Sequence, residues 1–170
     1  MSDPLKAGKL LDFDESNGEI RSLGRRFELV DVVGLCRHLD MLVGEKVAAS
    51  IVGSYGRESG REDLANLRKN NPNLTLKELI AAFSLSDLLG GYGVSEVSMR
   101  EDEDVPIELE IRNPIIQAST GTAVKFVLSY WIGGLSDILE KTLEISHNSY
   151  DPKENVLRCR LAVIGVPATP

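Results

Sequence analysis

Three pairs of segments alternate apolar and polar residues, and each pair is joined by a short polar connection. Such pairs are typical of antiparallel β-hairpins. A hairpin cannot bury its apolar face alone, so the three hairpins need a common partner. This feature predicts an α+β fold, with one antiparallel sheet built from hairpins and about four helices packed on one face. The paired segments are Lys9–Phe13 with Glu19–Leu23, Tyr92–Met99 with Val105–Arg112, and Leu143–His147 with Leu157–Val163.

The segments between the hairpins have apolar residues at helical spacing. Asp31 is placed to cap a first helix that ends at Gly44, and a second helix is predicted from Glu45 to about Lys69. A capping box at residues 75–78 opens the third helix, and the fourth covers about residues 122–141. These boundaries predict helices that follow each other closely in the first half of the chain.

The second predicted helix contains three glycines, at positions 53, 56 and 60. Each glycine inside a helix costs about 1 kcal/mol relative to alanine, so the run needs a reason. Close approach by another backbone, close approach by a ligand, and a kinked or frayed segment are the three alternatives. The apolar side of this helix is predicted to consist of Val47, Ala48, Ile51, Val52 and Tyr55.

Net charge and the lack of targeting patterns indicate the partners and the compartment to expect. The chain has 19 basic and 26 acidic residues, which give a net charge of −7. An acidic surface repels phosphate, so neither nucleic acid nor an anionic membrane is expected as a partner. The N-terminus has no apolar signal segment, and the most apolar stretch, Ala123–Leu139, is shorter than the roughly 20 residues of a membrane span. Two cysteines form no disulfide framework. We therefore expect a soluble cytoplasmic protein.

No familiar catalytic motif is present: there is no phosphate-binding loop, dinucleotide fingerprint, nucleophile elbow or zinc-protease helix. An enzyme is therefore less expected than a binding protein, and no catalytic residue is assigned. Glu144, His147 and Cys159 are residue types that bind zinc. By strict alternation, His147 and Cys159 point to the apolar side of the sheet, whereas Glu144 points away unless a bulge intervenes. A core histidine with a core cysteine, a zinc site and a catalytic Cys–His pair are the alternatives.

The fourth helix is the most apolar segment and carries the single tryptophan of the chain. An apolar cavity lined by helices is a common kind of small-molecule site. Core packing is the alternative explanation for the same residues. The pocket candidates are Tyr55, Phe83, Val127, Tyr130, Trp131 and Leu135.

Glycine-led motifs distributed over most of the chain resemble those of a known family, the small-molecule-binding domain named after vinyl reductases. Its superfamily includes heme-nitric-oxide-binding domains and Golgi transport-particle subunits. The resemblance extends over residues 25–164. The motifs are Gly24–Phe27, Leu42–Gly44, Ile51–Gly56 with Gly60, Gly90–Gly93, Ile111–Pro114, Trp131–Leu135, Leu143–His147 and Arg158–Leu161.

The resemblance implies a non-catalytic cytoplasmic sensory domain that binds a small apolar ligand, forms a homodimer and acts through a separate output protein. Residues 25–164 would form the ligand-binding domain, residues 1–24 an N-terminal hairpin extension of it, and residues 165–170 a tail. The first alternative is a protein-interaction dimer similar to transport-particle subunits. The second is a zinc protein.

Metal-binding members of the family supply a glutamate and two cysteines from the closing hairpin and another cysteine from the helix before it. Glu144 and Cys159 match this pattern, but His147 replaces the first hairpin cysteine, and no cysteine lies between Asn113 and Lys141. At most three of the four ligands are therefore retained. The heme branch needs a proximal histidine and a Tyr-x-Ser-x-Arg motif. Because this chain has neither, heme is not expected.

Overall fold

The structure, a computed structural model, describes residues 11–14, 19–22, 25–27, 31–89, 92–99, 107–114 and 121–165. The connection of the second predicted hairpin, the start of its second segment (residues 105 and 106) and residues 166–170 of the predicted tail lie outside this part of the chain. In chain order the elements are β1 (Leu11–Asp14), β2 (Glu19–Ser22), β3 (Arg25–Phe27), α1 (Val32–Val43), α2 (Glu45–Asn70), α3 (Leu76–Leu89), β4 (Val94–Ser98), β5 (Ile107–Arg112), α4 (Gly121–Leu139), β6 (Thr142–Asp151) and β7 (Val156–Gly165).

The second and third predicted hairpins join in one four-stranded antiparallel sheet, in the order β4-β5-β7-β6. With four helices, this sheet confirms the predicted α+β class. The first hairpin, β1–β2, is also confirmed, but it does not belong to the same sheet. Strand β3 follows β2 after only two residues and pairs with it antiparallel. The three hairpins therefore form two sheets rather than the single sheet that was predicted.

Strand β5 shows why the helices cover only one face of the larger sheet. Ile107, Leu109 and Ile111 are buried, and the residues between them point outward. On the outer face, Arg160 Nε lies 3.2 Å from Glu108 Oε1, and Arg158 Nε lies 3.1 Å from Glu110 Oε2. Cross-strand ion pairs of this exposed kind contribute little stability.

The glycines of α2 lie against α4. A Cβ atom on Gly60 would lie 1.9 Å from the carbonyl oxygen of Tyr130, and one on Gly133 of α4 would lie 1.9 Å from that of Arg57. The two helix backbones are therefore in direct contact. Helix α2 is continuous from Glu45 to Asn70. Close approach by another backbone, one of the three alternatives, is confirmed.

This contact corrects the predicted apolar side of α2. Ala48 and Val52 are buried as expected, but Val47, Ile51 and Tyr55 are exposed. The buried side is formed instead by the glycine stripe, together with Leu64 and Leu67. Hydrophobic periodicity is read from apolar side chains, so it cannot recognise a helix face that packs through glycines.

The helix ends follow the capping signals. Gly34 N–H donates to Asp31 Oδ1 at 2.9 Å, and Gly44, with φ +80°, ends α1. At the start of α3, Thr75 N–H donates to Glu78 Oε2 at 2.8 Å, and Glu78 N–H donates to Thr75 Oγ1 at 3.4 Å. The predicted capping box is therefore confirmed. In the described residues, no helix is both long enough and apolar enough to cross a membrane.

We expect Thr75→Ala to lower the free energy of unfolding by about 1 kcal/mol, because it removes the hydroxyl that accepts from Glu78 N–H. Urea denaturation followed by circular dichroism measures the change. Ser50→Ala, an exposed substitution inside α2, is the control, and equal effects of the two substitutions would contradict the role of the box.

Candidate functional site

Helix α4 is buried along most of its length and positions the centre of the candidate site. Trp131 and Leu135 are fully buried, with α2 on one side and α3 on another. The indole Nε1–H of Trp131 donates to Asp87 Oδ2. Ser95 Oγ, on β4, donates to the same carboxylate oxygen. Asp87 lies on α3, so side chains from α4 and β4 converge on an acidic residue of a third element.

Asp87 is only 1% exposed. Both neighbouring donors use its Oδ2 atom, whereas Oδ1 is buried and has no hydrogen-bond partner in the described residues. Burial raises the pKa of this carboxyl to about 6, although the bonds from Ser95 and Trp131 oppose the shift. Asp87 is therefore a buried acceptor with one oxygen that has no partner in the part of the chain that the structure describes.

Aromatic rings surround this part of the interior. The Phe83 ring stacks on Tyr130 with centroids 4.8 Å apart and meets Trp131 edge-on at 4.9 Å. Tyr130 keeps its hydroxyl satisfied by donating to Asp63 Oδ2 at 3.0 Å. The neighbourhood of Asp87 is therefore apolar and rich in aromatic rings that pack against one another.

A second aromatic group extends from the interior to the surface. The Phe126 ring lies 6.0 Å from that of Tyr55 and 5.8 Å from that of Tyr92. Tyr92 N–H donates to the backbone carbonyl of Asp87 at 2.8 Å. Burial raises the pKa of the Tyr92 hydroxyl to about 12. This backbone hydrogen bond links the second aromatic group to Asp87 on α3.

Five of the six pocket candidates lie in the interior: Phe83, Val127, Tyr130, Trp131 and Leu135. Tyr55 is instead 66% exposed, on the outer side of α2. Sequence reasoning missed Asp87 and Ser95. A signal for Asp87 was present, because it follows Ile80 and Phe83 at helical spacing on the apolar side of α3.

The three candidate zinc ligands are not brought together. Cys159 is buried, but Glu144 and His147 are both exposed. The register shifts between Ile145 and His147, so Ser146 is an extra residue in β6. This bulge turns His147 outward opposite Arg160, which corrects its predicted place in the core. Burial raises the pKa of the Cys159 thiol to about 11. Among the described residues, no group of three acidic, histidine or cysteine side chains could hold a metal ion.

No protein-family model matches the chain, and no curated protein matches it either. Among solved structures, the chain is similar to the phenol-responsive sensory domain of the transcription activator PoxR, determined with phenol, with a TM-score of 0.75 and 14% sequence identity. The alignment covers 92% of this chain and 86% of that one. At this identity, the likeness establishes the fold.

Two kinds of H-NOX structure align less well. A single-substitution variant of Tt H-NOX gives a TM-score of 0.43 at 15% identity, covering 86% of this chain and 79% of that one. An oxygen-binding H-NOX domain related to soluble guanylate cyclases gives 0.38 at 13%, covering 84% and 98%. These scores are too low to establish a common fold. The comparison with a TM-score of 0.75 is the one that establishes the fold: the chain has the fold of the PoxR sensory domain.

Proposed function

We infer that this chain is a non-catalytic sensory domain that binds a small apolar molecule in its interior, at Asp87, Ser95 and Trp131. The ligand carries an aromatic or similarly flat ring and at least one neutral hydrogen-bond donor. The fold shared with the PoxR domain supports this proposal, because that domain is phenol-responsive. The homodimer and the separate output protein that the resemblance implies stay predictions.

The unused Oδ1 atom of Asp87 carries the proposal. A buried acceptor without a partner costs on the order of 1–3 kcal/mol, and the cost is larger when the group is charged. A ligand hydroxyl or amine that donates to Oδ1 would remove this cost. The rings of Phe83, Tyr130 and Trp131 are in mutual contact, so they would have to move apart for the ligand ring to pack among them. The site therefore favours phenol-like and aniline-like ligands over plain hydrocarbons.

Titration calorimetry and thermal shift at neutral pH test the proposal with four probes: phenol, aniline, toluene and benzoate. Phenol and aniline are expected to bind and to raise the melting temperature. Toluene lacks a donor and is expected to bind at least about tenfold more weakly. Benzoate is expected not to bind, because its carboxylate would repel Asp87. Failure of every probe to bind the wild-type protein would contradict the proposal.

Asp87→Asn replaces the unused acceptor with an amide that donates. We expect phenol affinity to fall about ten- to hundredfold, the loss typical of a hydrogen bond to a charged group. The same variant should gain affinity for acetophenone, whose carbonyl accepts. Unchanged phenol affinity in Asp87→Asn would contradict this site.

Asp40→Asn is the matched control. Asp40 Oδ1 accepts from Thr122 Oγ1 at 2.5 Å, and Asp40 Oδ2 is likewise buried without a partner in the described residues. Thr122 lies nine residues before Trp131, which is about 14 Å along α4. The phenol affinity of Asp40→Asn is therefore expected to equal that of the wild type.

A further inference from the structure

The hydrogen bonds at Asp87 give the two oxygens of its carboxyl group different roles. Oδ2 accepts from the indole Nε1–H of Trp131 and from Ser95 Oγ. Oδ1 is buried and has no hydrogen-bond partner in the described residues. An indole N–H can only donate, so Oδ2 must remain an acceptor whether or not the carboxyl group is ionised. A proton taken up by Asp87 therefore belongs on Oδ1.

The surroundings of Asp87 favour the uptake of that proton. Burial, opposed by the two hydrogen bonds, sets the pKa of the carboxyl group at about 6, with no contribution from a charged group in the described part of the chain. A buried carboxyl group without a cation beside it is readily neutralised, because its charged form has lost its hydration. Asp87 therefore changes its charge close to neutral pH.

The other titratable groups around Asp87 supply no positive charge to it. Burial raises the pKa of the Tyr92 hydroxyl to about 12 and raises the pKa of the Cys36 thiol as well, so both stay neutral near pH 7. Asp63 is 6% exposed and accepts from the Tyr130 hydroxyl at 3.0 Å, so its effect must be separated from that of Asp87 by experiment. On the elements packed around Asp87, these groups are Tyr92 between α3 and β4, the exposed Glu96 of β4, Tyr130 of α4, Asp63 of α2 and Cys36 of α1.

A proton on Oδ1 reverses the hydrogen-bonding character of this position. An ionised carboxylate has acceptors only, whereas a carboxylic acid also has one O–H donor. A ligand carbonyl that faces the ionised Oδ1 places two acceptors together, and a ligand N–H that faces the protonated Oδ1 meets the proton of its O–H group. Either mismatch leaves a buried polar group without a partner, which weakens binding.

We propose that the protonation state of Asp87 selects between two classes of ligand at this site: donors to Oδ1 when Asp87 is ionised, and acceptors from Oδ1 when it is protonated. The second class consists of small flat molecules with a carbonyl group, such as aromatic ketones and aldehydes. This inference rests on the proposed ligand site and extends it, because that proposal gives the wild-type protein ligands that donate.

Titration calorimetry with pyrrole and acetophenone at pH 5.5 and pH 8 tests the proposal. Pyrrole donates and acetophenone accepts, and neither molecule titrates in this range, so a change in affinity reflects the protein. Pyrrole is expected to bind about fourfold more weakly at pH 5.5, because roughly a quarter of the sites are then ionised. Acetophenone is expected to bind at least about tenfold more tightly at pH 5.5 than at pH 8.

Phenol at pH 8 separates the failure of this inference from the failure of the proposed site. If phenol binds, but pyrrole and acetophenone do not show opposite pH dependences, the selection by protonation is overturned and the site remains. If none of the three probes binds at either pH, the proposed site is contradicted, and the inference is overturned with it.

Two variants assign the pH dependence to one carboxyl group. Asp87→Asn presents an amide donor at every pH, so its affinity for acetophenone is expected to differ by less than about twofold between pH 5.5 and pH 8. Asp63→Asn is the matched control, because its amide oxygen can still accept from Tyr130. It should keep the opposite pH dependences of the wild type. Their loss in Asp63→Asn, or their persistence in Asp87→Asn, would overturn the assignment to Asp87.

Discussion

Replacing Gly60 with alanine is expected to lower the free energy of unfolding by about 3 kcal/mol or more, at the upper end of the usual cost of overpacking. The new Cβ would lie 1.9 Å from the Tyr130 carbonyl oxygen, which belongs to the backbone of a buried helix and cannot rotate away. The clash between the new Cβ and this oxygen can be relieved only if α2 and α4 move apart. Gly133→Ala places a Cβ at the same distance from the Arg57 carbonyl oxygen and should have a similar effect.

Gly53→Ala provides the control on the same helix. Its Cβ would meet Lys125 Cε at 3.2 Å and Ser129 Oγ at 3.3 Å, both of which belong to side chains that can move. Alanine also gains about 1 kcal/mol of helix propensity over glycine. We expect a net change within about 1 kcal/mol. Urea denaturation of the three variants measures the difference, and equal stability of Gly60→Ala and Gly53→Ala would contradict backbone contact at Gly60.

The second large effect is a pH dependence caused by Asp87. Its pKa rises from 3.8 to about 6 on folding, because burial disfavours the charged form. The folded state therefore holds the proton more tightly, and stability falls as pH rises from about 4 to about 6 and then levels off. The shift corresponds to about 3 kcal/mol, since one pKa unit is about 1.4 kcal/mol.

Urea denaturation of the wild type and of Asp87→Asn at a series of pH values tests this prediction. Asparagine does not ionise, so the difference in unfolding free energy between the two proteins isolates the contribution of Asp87. Relative to the variant, the wild type should lose stability between pH 4 and pH 7. A difference that stays constant over this range would show that the carboxyl keeps its ordinary pKa on folding.

The α+β class and the helix ends could be predicted from the sequence, because caps and alternation are local signals. The outer side of α2 could not. Val47, Ile51 and Tyr55 have the spacing of a buried stripe, yet the contact with α4 is made by Gly56 and Gly60. A hydrophobic pattern identifies an apolar face, but it cannot tell whether that face is buried in the core or exposed at the surface.

A predicted zinc ligand, His147, and a residue that sequence reasoning missed, Asp87, show how single positions escape pattern reasoning. His147 was placed in the core by strict alternation, and the extra residue Ser146 reverses its direction. Asp87 is an acidic residue on a helix and resembles a solvated side chain when it is considered alone. Its importance comes from Trp131, 44 positions later in the chain, which only the fold brings within hydrogen-bond distance.

The backbone contact between α2 and α4 also determines how far a local disturbance can travel. The Tyr130 carbonyl that touches Gly60 belongs to the peptide unit directly before Trp131, whose indole holds Asp87. No side chain lies between the two helices at this point to absorb a displacement. A close-packed contact of this kind transmits strain. A displacement of the α4 backbone at Trp131 is therefore expected to displace α2 as well.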